Sequence, residues 1–290
     1  MQEWGRLITA MATPFYRDGR LDLSGAQALA DKLAGEGTTA LVLAGTTGES
    51  STLANEEKLE LFAAVKSTVS IPVIANVGSN NTEESAKLAE KARKTGVDGV
   101  MAVTPYYNKP NQAGLLAHYQ AVAGSAQLPV MVYNVPGRTG LNLDADTVLQ
   151  IAEIPFVRAL KEATGEFGKI SRVIKEAPAH FTVYTGEDFL TLPTLAVGGF
   201  GVVSVAAHVV GKQMRAMIDC YLAGKVEEAK KIHLSLVSIY KSLFMTSNPI
   251  PLKAALKLTG FDAGPLRLPL LEADEKVISA LERDLHNLQH

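Results

Sequence analysis

Lys161 closes the apolar run Phe156-Val157-Arg158-Ala159-Leu160, and the polar stretch Glu162-Ala163-Thr164-Gly165 follows it at once. If the run is a buried strand, the lysine sits at its C-terminal tip, its amine facing the space that neighbouring strands leave open. Desolvation disfavours an ammonium there and lowers its pKa. A neutral amine attacks a ketone and forms a Schiff base. An isolated Leu-Lys-Glu more often marks a lysine that snorkels to solvent, so the reading depends on its company. Tyr133 ends another apolar run and can pass protons to and from a reacting oxygen if a neighbouring hydroxyl shares its hydrogen bond; a lone strand-end tyrosine is more often core or rim. Arg138 offers a planar fork for a carboxylate, although most loop arginines are simply solvated. Gly45-Thr46-Thr47-Gly48 makes a tight turn whose N–H groups and hydroxyls can hold a carboxylate without a full positive charge. It can also be an ordinary Gly-rich turn, and Tyr106 and Tyr107 suit a subunit contact.

The elements that must position these residues alternate along the chain. Strand-type runs occur at Leu7 to Ala12, Ala40 to Ala44, Val73 to Val77, Gly99 to Val103, Val130 to Tyr133, Val157 to Leu160, Phe181 to Tyr184 and Val202 to Val205. Between them lie helix-type segments such as Leu21 to Ala34, Asn55 to Thr68 and Thr82 to Thr95, the last opened by Asn81 with Glu84 three residues on and closed by Gly96. Strand starts recur about every 20 to 32 residues, the length of a β-α unit whose helix crosses back over a parallel sheet. Eight units predict an α/β fold, a (β/α)8 TIM barrel. A doubly wound sheet would carry a Gly-rich turn after the first strand, where this chain has Thr13-Pro14-Phe15. Beyond Ala207 only helices are expected, Val226 to Phe244 and Glu272 to Leu288 among them, separated by Asn248-Pro249-Ile250-Pro251. The expected division is a catalytic barrel over 1–224 and a C-terminal helical subdomain over 225–290.

Composition narrows the function. With 290 residues, 47% hydrophobic and 20% charged, the chain can bury a large core. A net charge of −2 and a pI near 6.3 give no electrostatic reason to expect nucleic acid or an anionic membrane as partner. No apolar run approaches a membrane span, the first residues lack a basic stretch followed by an apolar core, and the single Cys220 excludes an intrachain disulfide framework. A cytoplasmic enzyme of small molecules is expected. His118, His180, His208 and His233 are scattered, and His286 with His290 shares helical spacing only at the chain end, so no metal site is expected. Neither a dinucleotide fingerprint nor a Gly-x-Ser-x-Gly elbow is present. The loops Gly186-Glu187-Asp188 and Ala206-Ala207-His208 include acids and lack an anion cradle, which argues against phosphorylated substrates.

Read together, Gly45-Thr46-Thr47-Gly48-Glu49, Thr104-Pro105-Tyr106-Tyr107-Asn108, Tyr133-Asn134-Val135-Pro136-Gly137-Arg138-Thr139-Gly140, Lys161-Glu162-Ala163-Thr164-Gly165 and Asn248-Pro249-Ile250-Pro251 resemble the dihydrodipicolinate synthase family. This family belongs to the N-acetylneuraminate lyase superfamily of Schiff-base barrels, and the motifs run in family order over essentially the whole chain. The resemblance implies 4-hydroxy-tetrahydrodipicolinate synthase activity: condensation of pyruvate with L-aspartate-4-semialdehyde in the diaminopimelate route to lysine, by a homotetramer built as a dimer of dimers, without cofactor. It further implies that Lys161 forms the Schiff base and that Thr46 and Thr47 hold the pyruvate carboxylate. Tyr133, Thr46 and Tyr107 form the proton relay, with Tyr107 reaching in from the neighbouring subunit. Arg138 orients the aldehyde acid, and Gly186 and Val203 line the site. The sibling alternative, N-acetylneuraminate lyase or a 2-keto-3-deoxy sugar-acid aldolase, keeps the lysine and tyrosine but usually lacks a counterpart of Arg138.

The chemistry agrees with these roles. Joining a ketone to an aldehyde needs an electron sink, which the iminium supplies, and a shuttle that protonates the new oxygen. Both substrates are carboxylates, so a neutral turn and a cationic fork can hold them in reacting geometry. Positions that bind lysine in feedback-inhibited members match Ser50, Ser51, Asn55, Lys58, Asn80, Glu84 and Tyr106. Many of those members have histidine where this chain has Asn55, and histidine or glutamate where it has Lys58. A cation at Lys58 repels the effector's ammonium unless its side chain points to solvent, and weak or absent inhibition is expected.

Overall fold

The computed structural model describes residues 4–288. Eight parallel strands close into a barrel in sequence order: β1 Leu7–Ala10, β2 Ala40–Leu43, β3 Val73–Asn76, β4 Gly99–Val103, β5 Val130–Asn134, β6 Val157–Glu162, β7 Thr182–Thr185 and β8 Gly201–Ser204. The helices are α1 Leu23–Gly35, α2 Asn55–Lys66, α3 Thr82–Arg93, α4 Gln112–Ala126, α5 Pro136–Thr139, α6 Ala145–Ala152, α7 Phe167–Glu176, α8 Thr191–Ala196, α9 Ala207–Leu222, α10 Val226–Ser242, α11 Ile250–Leu258 and α12 Glu275–Asn287. Every strand is buried along nearly its whole length. A packed lumen and surrounding helices cover both faces of such a sheet, so its strands read as continuous apolar runs rather than alternating ones.

The expected strands are all present, and their ends move for local reasons. β2 stops at Leu43 because Ala44 turns into the left-handed region at φ 50°. β6 runs two residues beyond Leu160, pairing with β5 and β7 as far as Glu162. Helix α1 starts at Leu23 because Asp22 caps it, accepting from the Gly25 N–H at 2.8 Å. In α12 Asp274 does the same for Val277, so that helix begins at Glu275 rather than Glu272. At α3, Asn81 accepts from the N–H groups of Glu83 and Glu84 as expected, but Ser79 Oγ, not Glu84, takes the Asn81 N–H.

Contacts gather into two compact units: the chain up to Ile71 together with the chain from Ser204 onward, and Pro72–Val203. Within the first, α9 packs on β1 and α10, and α12 packs on α10 and α11. Within the second, α3, α4, α6 and α7 pack in succession over β4 to β7. Among the described residues no helix is long and apolar enough to cross a membrane.

Candidate active site

Lys161 and Tyr133 are brought together by a fault in the strand pairing. Val130 pairs with Val157, but Met131 pairs with Ala159, so β6 carries one extra residue at Arg158. Unbroken register would set Tyr133 against Leu160. The bulge sets it against Lys161, and since a one-residue slip exchanges the two faces of a strand, the amine and the phenol share a face. Both residues are buried, and Lys161 Nζ lies 4.2 Å from the centroid of the Tyr133 ring. The next residues, Asn134 and Glu162, are also paired and point the opposite way. The expectation of a strand-tip lysine is met; the residue after it is polar yet only 1% exposed.

Burial pushes the Lys161 amine down from 10.5 to about 8, opposed by the carboxylates of Asp188 and Glu187 and assisted by the Arg138 guanidinium. At pH 7 that leaves about one amine in ten neutral, against fewer than one in a thousand for an ordinary lysine. Glu187 is itself pushed up by burial and by Asp188 beside it, with Lys161 and Arg138 pulling the other way. The sequence marks these two acids only as arguments against a phosphate; here they set the charge around the amine. The aromatic face below Nζ favours the cation without placing a second charge there.

Gly186 is explained by close approach. A Cβ there would lie 3.0 Å from Lys161 Cε and 2.9 Å from Ala163 Cβ, so only glycine lets the lysine stem pass. Arg138, an exposed residue, stands on α5, the single turn Pro136–Thr139 that Gly140 ends at φ 73°. Val203 is fully buried in β8.

The turn after β2 is built with equal care. Thr13 Oγ1 donates to Gly48 O at 2.7 Å, and a Cβ on Gly48 would lie 3.0 Å from that same Oγ1. Glu49 sits at φ 55° with its carboxylate paired to Lys253 Nζ at 2.7 Å and bonded to the Arg267 N–H at 2.9 Å. Asn248 Nδ2 donates to Thr47 Oγ1 at 2.9 Å. Because that hydroxyl accepts from Asn248, its own hydrogen is left to donate, the orientation an anion requires. Thr46 is half-buried and Thr47 almost wholly buried.

Tyr107 is 89% exposed at φ 71°, an uncommon conformation for a bulky residue and one that concentrates at functional sites. Tyr106 beside it is also exposed. Of the regulatory candidates, Ser50, Asn55, Lys58 and Asn80 are half-buried while Ser51 and Glu84 are exposed. Lys58 does not point freely to solvent: burial lowers its pKa. Among the described residues no group of three or more His, Cys, Asp or Glu could hold a metal, and His290 lies outside them. His208 instead serves structure, Nε2 accepting from the Ala12 N–H and Nδ1 donating to Val205 O, with burial pushing its pKa to about 4. Cys220 is half-buried on α9, near the buried Met217 and Ile218.

Fold and site together define a barrel enzyme of the class I aldolase type, with a buried lysine on the sixth strand. The model of the dihydrodipicolinate synthetase family matches residues 3–288, and the chain belongs to that family. It is 50% identical over 286 residues to the 4-hydroxy-tetrahydrodipicolinate synthase of Moorella thermoacetica, covering 97% of this chain and 98% of that one. It is 51% identical over 273 residues to the Bacillus velezensis protein of the same name, covering 93% and 94%. Among solved structures, a dihydrodipicolinate synthase from Bacillus anthracis superposes with a TM-score of 0.97 at 46% identity, covering 99% of both chains. The synthase from Cyanidioschyzon merolae, solved with lysine bound, gives 0.97 at 44% identity over 99% and 98%.

Proposed function

We propose that this chain is a 4-hydroxy-tetrahydrodipicolinate synthase, condensing pyruvate with L-aspartate-4-semialdehyde on the diaminopimelate route to lysine. The observation that carries the reading is the buried Lys161 amine, lowered to about 8 and seated 4.2 Å from the Tyr133 ring centroid. The amine attacks the pyruvate ketone and expels water as an iminium. Loss of a methyl proton then gives an enamine, whose carbon attacks the aldehyde. Tyr133, Thr46 and the neighbouring subunit's counterpart of Tyr107 move the protons, the last accounting for an exposed and strained tyrosine. Thr46 and Thr47 take the pyruvate carboxylate, while Gly186 and Val203 line the site. Arg138, exposed yet close enough for its charge to act on Lys161 and Glu187, takes the carboxylate of the aldehyde acid.

The working assembly on this reading is a homotetramer in the cytoplasm, with the barrel over 1–224 and the helical subdomain over 225–290. One structural relative at 40% identity is a monomeric variant, so assembly has to be measured for each chain. A coupled assay of pyruvate with aspartate semialdehyde or N-acetylmannosamine tests the function. Turnover with the semialdehyde alone is expected, and Arg138→Ala should raise its KM by a factor on the order of 100, the loss of a charge-assisted pair. Turnover with the amino sugar instead would transfer the chain to the sugar lyases.

A further inference from the structure

Behind Tyr133 and Lys161, on the face of β5 and β6 turned away from them, lies a buried polar cluster that the reaction itself does not use. Asn134 Nδ2 donates to both carboxylate oxygens of Glu162, at 2.9 and 3.1 Å. Lys169, on α7, pairs with Glu162 Oε2 at 2.8 Å, with side-chain exposures of 9% and 1%. Asn142 Oδ1 accepts from Lys169 Nζ at 3.0 Å and from Asn134 Nδ2 at 2.8 Å, and Asn134 Oδ1 accepts the Leu143 N–H at 3.2 Å. The cluster therefore joins four pieces of chain: β5 directly after Tyr133, β6 directly after Lys161, α7 through Lys169, and the end of the 135–143 loop that carries Arg138.

We propose that Asn134, Glu162, Lys169 and Asn142 form a clamp that positions Lys161 and Arg138 relative to one another, making them positioning residues for the condensation. Two observations argue for more than packing. A buried ion pair is no better for stability than a well-packed apolar pair, so its presence calls for another role. A packed pair would also not need Asn142, whose half-exposed side chain contributes only a single shared acceptor to the ion pair and otherwise donates to Glu166 at 3.1 Å. The clamp's electrostatics are self-contained as well. The charges that shift Lys161 are those of Asp188, Glu187 and Arg138, while Glu162 is paired with Lys169.

The inference rests on the assigned roles of Lys161 and Arg138, and its test separates the two. In the wild-type enzyme, borohydride trapping with pyruvate and steady-state turnover establish those roles first. Asn142→Ala leaves the buried ion pair intact and frees the loop end. It is expected to raise the KM for the semialdehyde at least about tenfold, a displacement of the fork that binds it, with the rate of imine formation from pyruvate unchanged. Lys169→Met is expected to slow imine formation as well, since it disturbs β6. Should Lys169→Met fold poorly, Glu162→Gln/Lys169→Met removes both charges and replaces it. A wild-type enzyme that forms no imine overturns the assigned roles. A normal wild type, with folded variants that keep both KM values and the imine rate within twofold, overturns the clamp, even if their melting temperatures fall.

Discussion

Below about pH 8 the folded chain holds Lys161 as an ammonium in surroundings that burial makes unfavourable, while the unfolded chain holds it as an ordinary solvated lysine. Its pKa falls from 10.5 to about 8 on folding, so the unfolded state binds protons more tightly. This destabilises the fold by up to about 3 kcal/mol, fully below pH 8, and the penalty fades as pH rises from 8 to 10.5. Lys161→Met should therefore be inactive yet more stable than wild type in urea at pH 7, with the gap closing toward pH 10. A variant less stable at pH 7 would show that the amine is better accommodated than its burial implies. The lysine, the tyrosine and the arginine were legible in the sequence because each breaks the pattern of an apolar strand or a turn. Glu187 and Asp188 were visible as residues but not as charges acting on the amine, since that depends on which strand tips face each other.

At the scale of elements, the bulge in β6 decides whether Lys161 meets Tyr133 at all, and nothing in Phe-Val-Arg-Ala-Leu-Lys marks it. Strand existence follows from apolar runs, whereas register follows from the neighbouring strand and from packing. The turn after β2 depends in the same way on distant sequence. Lys253 of α11 forms an ion pair with Glu49 and donates to Pro265 O, and Arg267 donates to Glu49, Thr52 O and Glu57. The two cations lie 4.4 and 4.3 Å from the centroid of the same Phe15 ring. Glu49 and the Asn-Pro-Ile-Pro break lie far apart in sequence, and the structure ties them: Asn248 donates to Thr47 and Lys253 pairs with Glu49. Lys253→Met leaves the Glu49 carboxylate, 3% exposed, without its cation. It should lower the unfolding free energy by about 3–5 kcal/mol, and Glu49→Gln/Lys253→Met should recover most of that loss. Equal losses in the single and double variants would mean that the pair contributes by shape alone.

For the whole molecule, the half-buried Lys58 bears on regulation. Burial already lowers its pKa, so bringing a second ammonium nearby is disfavoured twice, by repulsion and by poorer solvation. Saturating lysine should leave turnover close to its uninhibited value, and Lys58→His should increase sensitivity to it. Strong inhibition of the unaltered enzyme would place the effector away from Lys58. The barrel was legible in the spacing of strand and helix runs. The exposure and left-handed backbone of Tyr107 were not, because they depend on how the loop after β4 folds.

If Lys161 meets a keto acid as a neutral amine, borohydride reduction in the presence of pyruvate traps the pair covalently. Peptide mapping should find one pyruvate-derived adduct per chain, on Lys161, with a trapping rate that rises through pH 8 and with no adduct in Lys161→Met. An adduct on another lysine, or none at any pH, would mean that Lys161 is not the Schiff-base residue.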